Sequence, residues 1–420
     1  MAKLDANSEF ERGRELSVPV VKVPRSVKEW LCIDRAYENG NFKIEPMTGE
    51  AMYDQSYMFE DINYVNKDTA KKDSTLLEIM TLLKSLDGPF KITLANEQRD
   101  LDSFVNEIFN PINGQEYPVI EKGIGKWINQ KIDEGTRDIR KTMILTVTCR
   151  AHTLEEAEAY FATIDTTLSN IFRNLRSRIY KMSAEERMVL LSRMLRAGEE
   201  CLPPARISPD DSGWKNQILP ASIQSDTDYM VINNKQYVSV LVGTAFGQSL
   251  SEDKVIHSLS DVLFPTYITI DMQRVPKNVI HDRLENAHAN NERVIAQERT
   301  RNYNNKQFGA TTSYSLTKKK TSLEDDMDQL DENDEEGVFL GLLVLYADSL
   351  EELTQRVDIL KQKAKGSSYE LEPYYHRQLK ALNTVLPIGG RQVNHMRFLY
   401  TSSAIAFQPF YAGDVHDRNG

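Results

Sequence analysis

The sequence predicts an α/β protein of the α+β kind, with mixed sheets and two tandem related lobes, each running strand, helix, strand, helix, strand, helix. Two pairs of matching segments carry that reading. MILTVTCRAHTLEEAEAYFATIDTTL passes from an apolar strand into a helix with apolar residues at Leu154, Ala157, Phe161, Ile164 and Leu168, and VFLGLLVLYADSLEELTQRVDILKQKA repeats the plan with Leu350, Leu353, Val357 and Leu360. KDSTLLEIMTLLKSLDGPFKITLAN and SEDKVIHSLSDVLFPTYITIDM share a helix, a turn and a strand in that order. The offset is 176 positions between Ile92 and Ile268 and 196 between Leu154 and Leu350, so the second copy carries extra chain between its two matching parts. A chain of 420 residues, 40% hydrophobic and 27% charged, has ample material for two cores.

Each element has a local reason. Residues 1–50, with three prolines among short apolar patches, read as an N-terminal arm. The first lobe spans 51–202. Its strand candidate YMFEDINYV precedes the first matched helix, and Thr153 with Glu156 has the spacing of a capping box for a helix running to Tyr180. Ser183 opens an amphipathic helix to about Cys201, which Pro203-Pro204 stops. Residues 203–230 read as a linker, and 231–400 as the second lobe, beginning with KQYVSVLVG. Within it, 302–336 reads as a disordered insertion, because a Lys run joined to a dense acidic run shows no apolar period. Ser349 and Glu352 form the second capping box, for a helix to Lys365. Residues 401–420 leave the lobe as the start of a further linker.

Composition and motifs exclude more chemistry than they suggest. The net charge of -11 opposes direct nucleic-acid binding, and the basic run RNLRSRIYK (Arg173 to Lys181) reads as a solvated face or protein contact. The run Val338 to Ala347 is half of the ~20 residues a membrane helix needs, and the polar N-terminus is unlike a signal peptide, so a cytoplasmic location is expected. Cys32, Cys149 and Cys201 lack metal or disulfide spacing, and the seven histidines lack HxH or HxxxH pairing. VIEKGIGKW approaches a P-loop, but Ile120 replaces the first Gly and Trp127 the metal-binding hydroxyl. Asp271, ending YITID, reads as an ordinary strand-end polar residue. A two-histidine phosphoesterase is excluded because His152-Thr153-Leu154 is misspaced and Asp348-Ser349-Leu350 has no imidazole. No catalytic, cofactor-binding or metal-ligating residue is assigned, and the chain is not expected to be an enzyme.

The final segment, GGRQVNHMRFLYTSSAIAFQPFYAGDVHDRNG, resembles the stretch that joins the N-terminal domain to the RecA-like motor in type IV secretion and conjugation ATPases of the VirB, TrbE and TraC kind. The matching features are the Thr/Ser-rich strand Thr401 to Phe407, the pair Pro409-Phe410 and the Asp417 to Gly420 turn. The resemblance implies a non-catalytic N-terminal docking and assembly domain, truncated before its P-loop motor. ATP and Mg would belong to that motor, and no cofactor to this chain. Implied partners are inner-membrane channel proteins and the protein's own motor domain. The family also admits homo-oligomers, and places such a domain peripherally at the cytoplasmic face of the membrane through protein contacts. The alternative is a self-contained duplicated α/β scaffold or adaptor without a motor.

Overall fold

The computed structural model describes residues 27–44, 51–62, 64, 67, 69–98, 139–196, 207, 212–246, 255–275, 277–306, 311–333, 337–340, 344–393, 397–400 and 404–410. The first copy runs α1 (Val27–Trp30), β1 (Ile33–Ala36), β2 (Phe42–Ile44), β3 (Met52–Phe59), α2 (Thr69–Ser85), β4 (Phe90–Gln98), β5 (Ile139–Arg150), α3 (Leu154–Asn174), β6 (Ile179–Lys181) and α4 (Ala184–Arg196). The second runs α5 (Lys215–Ile218), β7 (Ile223–Ser225), β8 (Met230–Ile232), β9 (Gln236–Phe246), α6 (Val255–Ser260), β10 (Thr266–Met272), β11 (Arg274–Val275), α7 (Lys277–Asn304), α8 (Tyr314–Asn333), β12 (Gly337–Leu340), β13 (Val344–Ala347), α9 (Leu350–Gly366), β14 (Tyr369–Pro373) and α10 (Gln378–Val385). β15 (Arg397–Tyr400) and a 3-10 turn (Ile405–Phe407) follow.

The α/β class is the one expected, but the sheets, expected to be mixed, are antiparallel at every pairing among the described strands. The two copies share one sheet of order β1-β2-β3-β5-β4-β10-β13-β9-β8-β7, with β6 added to β3 and β14 to β9. Read from either edge inward, this order is the same, so the copies are related by an approximate two-fold axis between β4 and β10. The register locates the axis. An offset of 176 makes Thr269 the counterpart of Thr93, and these two residues are partners in the central pair. Their hydroxyls lie 3.0 Å apart in the core.

The core therefore divides by sheet face and not by copy. Alternation along each strand sends Phe90, Ile92, Leu94, Ile268, Ile270 and Met272 to one face, beneath α2, α3, α6 and α9. The opposite face, beneath α1, α4, α5 and α10, has an apolar rim that includes Ala95, Ile144, Tyr267 and Tyr346. On this second face the copies exchange ends. α1 of the first packs on α10 of the second, where the Trp30 indole donates to Leu379 O at 3.0 Å and Asn383 donates to Trp30 O. α4 of the first packs on α5 of the second, where Arg196 and Ser192 both donate to Gln217 O.

The capping boxes form as expected. The Thr153 hydroxyl accepts from Glu156 N while Glu156 accepts from His152 N, and Ser349 with Glu352 repeats the arrangement. Ser183 and Glu186 make a third box.

Four boundaries differ from expectation. The helix from Thr153 ends at Asn174, because Arg176 takes a left-handed φ of 60° that turns the chain into β6. The expected arm supplies, at 27–44, a helix and an edge hairpin whose Trp30, Leu31, Cys32, Ile33 and Phe42 are buried. The expected linker supplies α5, β7 and β8 at the opposite edge, where Asn233 and Asn234 at positive φ make the tight turn. Inside the expected disordered insertion, most of the described residues, 302–304 and 314–333, are helical. α7 and α8 pair as a hairpin in which Asn291 donates to Leu316 O, Lys320 meets Glu292 at 2.5 Å, and Ile295 and Leu323 are buried. Polar and ionic contacts between two helices supply order where an apolar stripe is thin.

Candidate functional site

The central strands carry a second pattern that composition hides. On the second face, Asp54 and Ser56 of β3, Thr146 and Thr148 of β5, Lys91 and Thr93 of β4, and Thr269 and Asp271 of β10 are all buried. Alternation puts them on one face, and four adjacent strands place them side by side. What covers them is the end of α10 and the stretch that follows, residues 384–391, all of them buried. A buried loop must find partners for its peptide groups, because each orphaned one costs as much as a lost hydrogen bond. This loop takes them from the sheet.

The Lys91 ammonium donates to Thr384 O at 2.5 Å, Gly390 O at 2.7 Å and Leu386 O at 3.4 Å. Thr269 Oγ1 donates to Val385 O at 2.7 Å. Pro387 O receives Ser56 Oγ, Thr146 Oγ1 and Arg187 Nη2 at 3.4, 3.2 and 3.4 Å. Gly389 N donates to Asp54 Oδ2. Glycine is required at this last point, since a Cβ on Gly389 would lie 2.6 Å from Thr148 Oγ1 and one on Gly390 2.9 Å from Cys32 Cβ.

Two buried ion pairs brace the loop. Arg391 grips Asp271 with Nε and Nη2 at 2.6 and 2.5 Å and reaches Gln273 with Nη1. Arg187 of α4 lies 2.8 Å from Asp54 and stacks 3.8 Å from the Phe42 ring centroid. Asp271 is thus an interior partner and not a strand-end residue facing water. Burial pushes Lys91 down to about 8, with the opposing attraction of Asp271 the next contribution. The Cys149 thiol beneath the same strands is pushed up to about 12, mainly by burial and next by Asp54.

The strand hydroxyls, Lys91, Asp54, Asp271, Arg187 and Arg391 are each at most 5% exposed, so no solute can reach them without the loop moving. The arrangement suits fixing the loop, and with it everything C-terminal to α10. Sequence reasoning missed the set although its signal is visible. KITL, SYM, LTVT and YITID alternate Lys, Ser, Thr and Asp with apolar residues, a pattern that ordinarily marks a solvated face.

The other sequence-level candidates fall elsewhere. His152-Thr153 and Asp348-Ser349 are helix caps. The segment VIEKGIGKW and the Asp417 to Gly420 turn lie outside the described residues, as does Cys201. Of the basic run, Arg178 is paired with Glu60 at 2.6 Å. Beyond the loop, the chain crosses to the first face, where Ala404, Phe407 and Phe410 join the core between α2 and α6. Phe410 meets the rings of Phe59 and Phe172, and Phe407 meets Tyr369. No family model matches the sequence, and no curated protein matches it.

Proposed function

We propose that this chain is the N-terminal docking and assembly domain of a type IV secretion or conjugative DNA-transfer ATPase. On this reading it connects a C-terminal motor to inner-membrane channel proteins, itself handling neither ATP nor Mg. One observation carries the proposal. Of the residues that resemble the family's connector, Thr401 to Phe407 and Pro409-Phe410, the described Ala404, Phe407 and Phe410 are buried in the core next to α2 and α6. A connector that transmits force needs a rigid root, and three apolar side chains seated between helices provide one. The buried loop at 384–391 is a second anchor just upstream. No helix among the described residues is long and apolar enough to cross a membrane, so attachment at the membrane's cytoplasmic face would run through protein partners.

The gene itself provides the test. An in-frame continuation beyond codon 420 that encodes GxxxxGK[ST] within a few tens of codons is the expected result. A stop codon with no such motif downstream sinks the reading. The alternative, a self-contained scaffold, is favoured by the exchange of α1 and α5 between copies, which closes the duplicated fold on itself.

A further inference from the structure

The hairpin of α7 and α8 has no counterpart among the described residues of the first copy, and its two helices pack chiefly on each other. At 28 residues, α7 is roughly 40 Å long. Charge is segregated along it. The distal part, residues 292–320, holds seven basic residues and two acidic ones, whereas residues 321–333 at the root hold six acidic and no basic ones. The opposing root of α7, residues 277–291, is balanced, with two of each.

This distribution works against the helix that carries it. α8 has no acidic residue in its first turn and no basic residue in its last, which ends instead in Asp331 and Glu332. Acidic groups at a helix C-terminus oppose the macrodipole, so α8 gains nothing from its own charges there. Within the hairpin, Lys320 is matched to Glu292 and Glu324, and Glu324 to His288. Exposed Arg293, Arg301, Lys318 and Lys319 at the tip, and Asp282, Asp325 and Asp328 at the root, have no ion partner among the described residues. The distal part also exposes Val294, Tyr303 and Tyr314. Tyr and Arg together are the composition that interface centres favour.

We propose that two copies of this chain associate through these arms, laid antiparallel so that each basic tip lies on the partner's acidic root. The antiparallel arrangement is the one in which both ends are satisfied at once. It is also self-complementary, as a closed two-fold dimer requires. This inference does not depend on the proposed function.

Sedimentation velocity on the full chain tests it, with far-UV circular dichroism confirming that each variant is folded. The wild type should dimerise at low salt, and its dissociation constant should rise about tenfold or more between ~0.05 and ~0.5 M NaCl. Reversing the tip (Arg293→Glu, Arg301→Glu, Lys318→Glu, Lys319→Glu) or the root (Asp282→Lys, Asp325→Lys, Asp328→Lys) should each weaken self-association about tenfold or more. Mixing the two variants should restore association, because the unaltered basic tip of one then meets the unaltered acidic root of the other, while the reversed tip meets a root that is no longer acidic. A wild type that stays monomeric at low salt overturns the proposal, as does a dimer indifferent to both reversals or a mixture that fails to associate. A monomer whose tip retains a polyglutamate peptide would assign the surface to an acidic partner and equally overturn self-association.

Discussion

Lys91 shows how a single buried cation can hold a loop. It donates to three carbonyls, of which Leu386 O also accepts from Ile388 N, so Lys91→Met leaves Thr384 O and Gly390 O without this donor and should destabilise the fold by about 2 kcal/mol at pH 7, read by urea unfolding. The pH dependence has a definite sign. The folded value of about 8 lies below the unfolded value of ~10.4, so between them the unfolded chain binds more protons. Stability contributed by this site should therefore rise from about pH 8 to ~10.4 and then level off, while Lys91→Met lacks that rise; equal slopes in both proteins would refute the assignment. Gly389→Ala should cost about 2 kcal/mol by forcing Cβ onto Thr148, and most of the loss should be recovered in a Thr148→Ala background. None of this was legible residue by residue. A Thr or Lys alternating with Ile reads as solvated unless one knows that a later segment covers it, and that cover, LPIGGR, is separated by some 300 positions from Lys91.

Among the elements, legibility followed how local the signal is. The capping boxes at Thr153 and Ser349 need only four residues each, and they appear where the spacing put them. Thr153→Ala and Ser349→Ala should each lower stability by ~1 kcal/mol, and the two losses should add, since the caps start different helices. An unchanged denaturation midpoint in either variant would show that the cap bond contributes nothing. The α7–α8 hairpin was misread because its order comes from pairing between helices and not from an apolar stripe. Leu323 and Ile295 are too sparse to announce a buried face, and the contacts of Asn291, Glu298 and Lys320 exist only once the chain has turned back. The edge hairpins failed for a related reason. Strands of three or four residues, such as Ile33–Ala36 and Ile223–Ser225, have too little length for alternation to show.

At the scale of the molecule, the duplication was legible because repeated spacing survives when identity does not, and Ile92 with Ile268 aligned the very strands that pair. That the copies would merge into one sheet was not. Nothing in either copy marks β4 as an inner strand until its partner is known to be β10. The merger makes a thermodynamic prediction. With β4–β10 at the centre and ends exchanged, the copies should unfold together in one cooperative transition, with the slowest amide exchange in β4 and β10. Two resolved transitions, one copy melting first, would contradict it. The central pair also departs from its own symmetry. The axis that equates Thr93 with Thr269 equates Lys91 with Tyr267 and Ala95 with Asp271, so one end of the pair carries a charged couple and the other a tyrosine against an alanine. Two identical subunits meeting at this seam would have to furnish both ends alike, two sockets for two loops. Joined in one polypeptide, the halves are free to specialise. The molecule keeps a single keyhole, filled by the single segment that leads out of it, and so acquires a direction that no homodimer built on the same sheet could have.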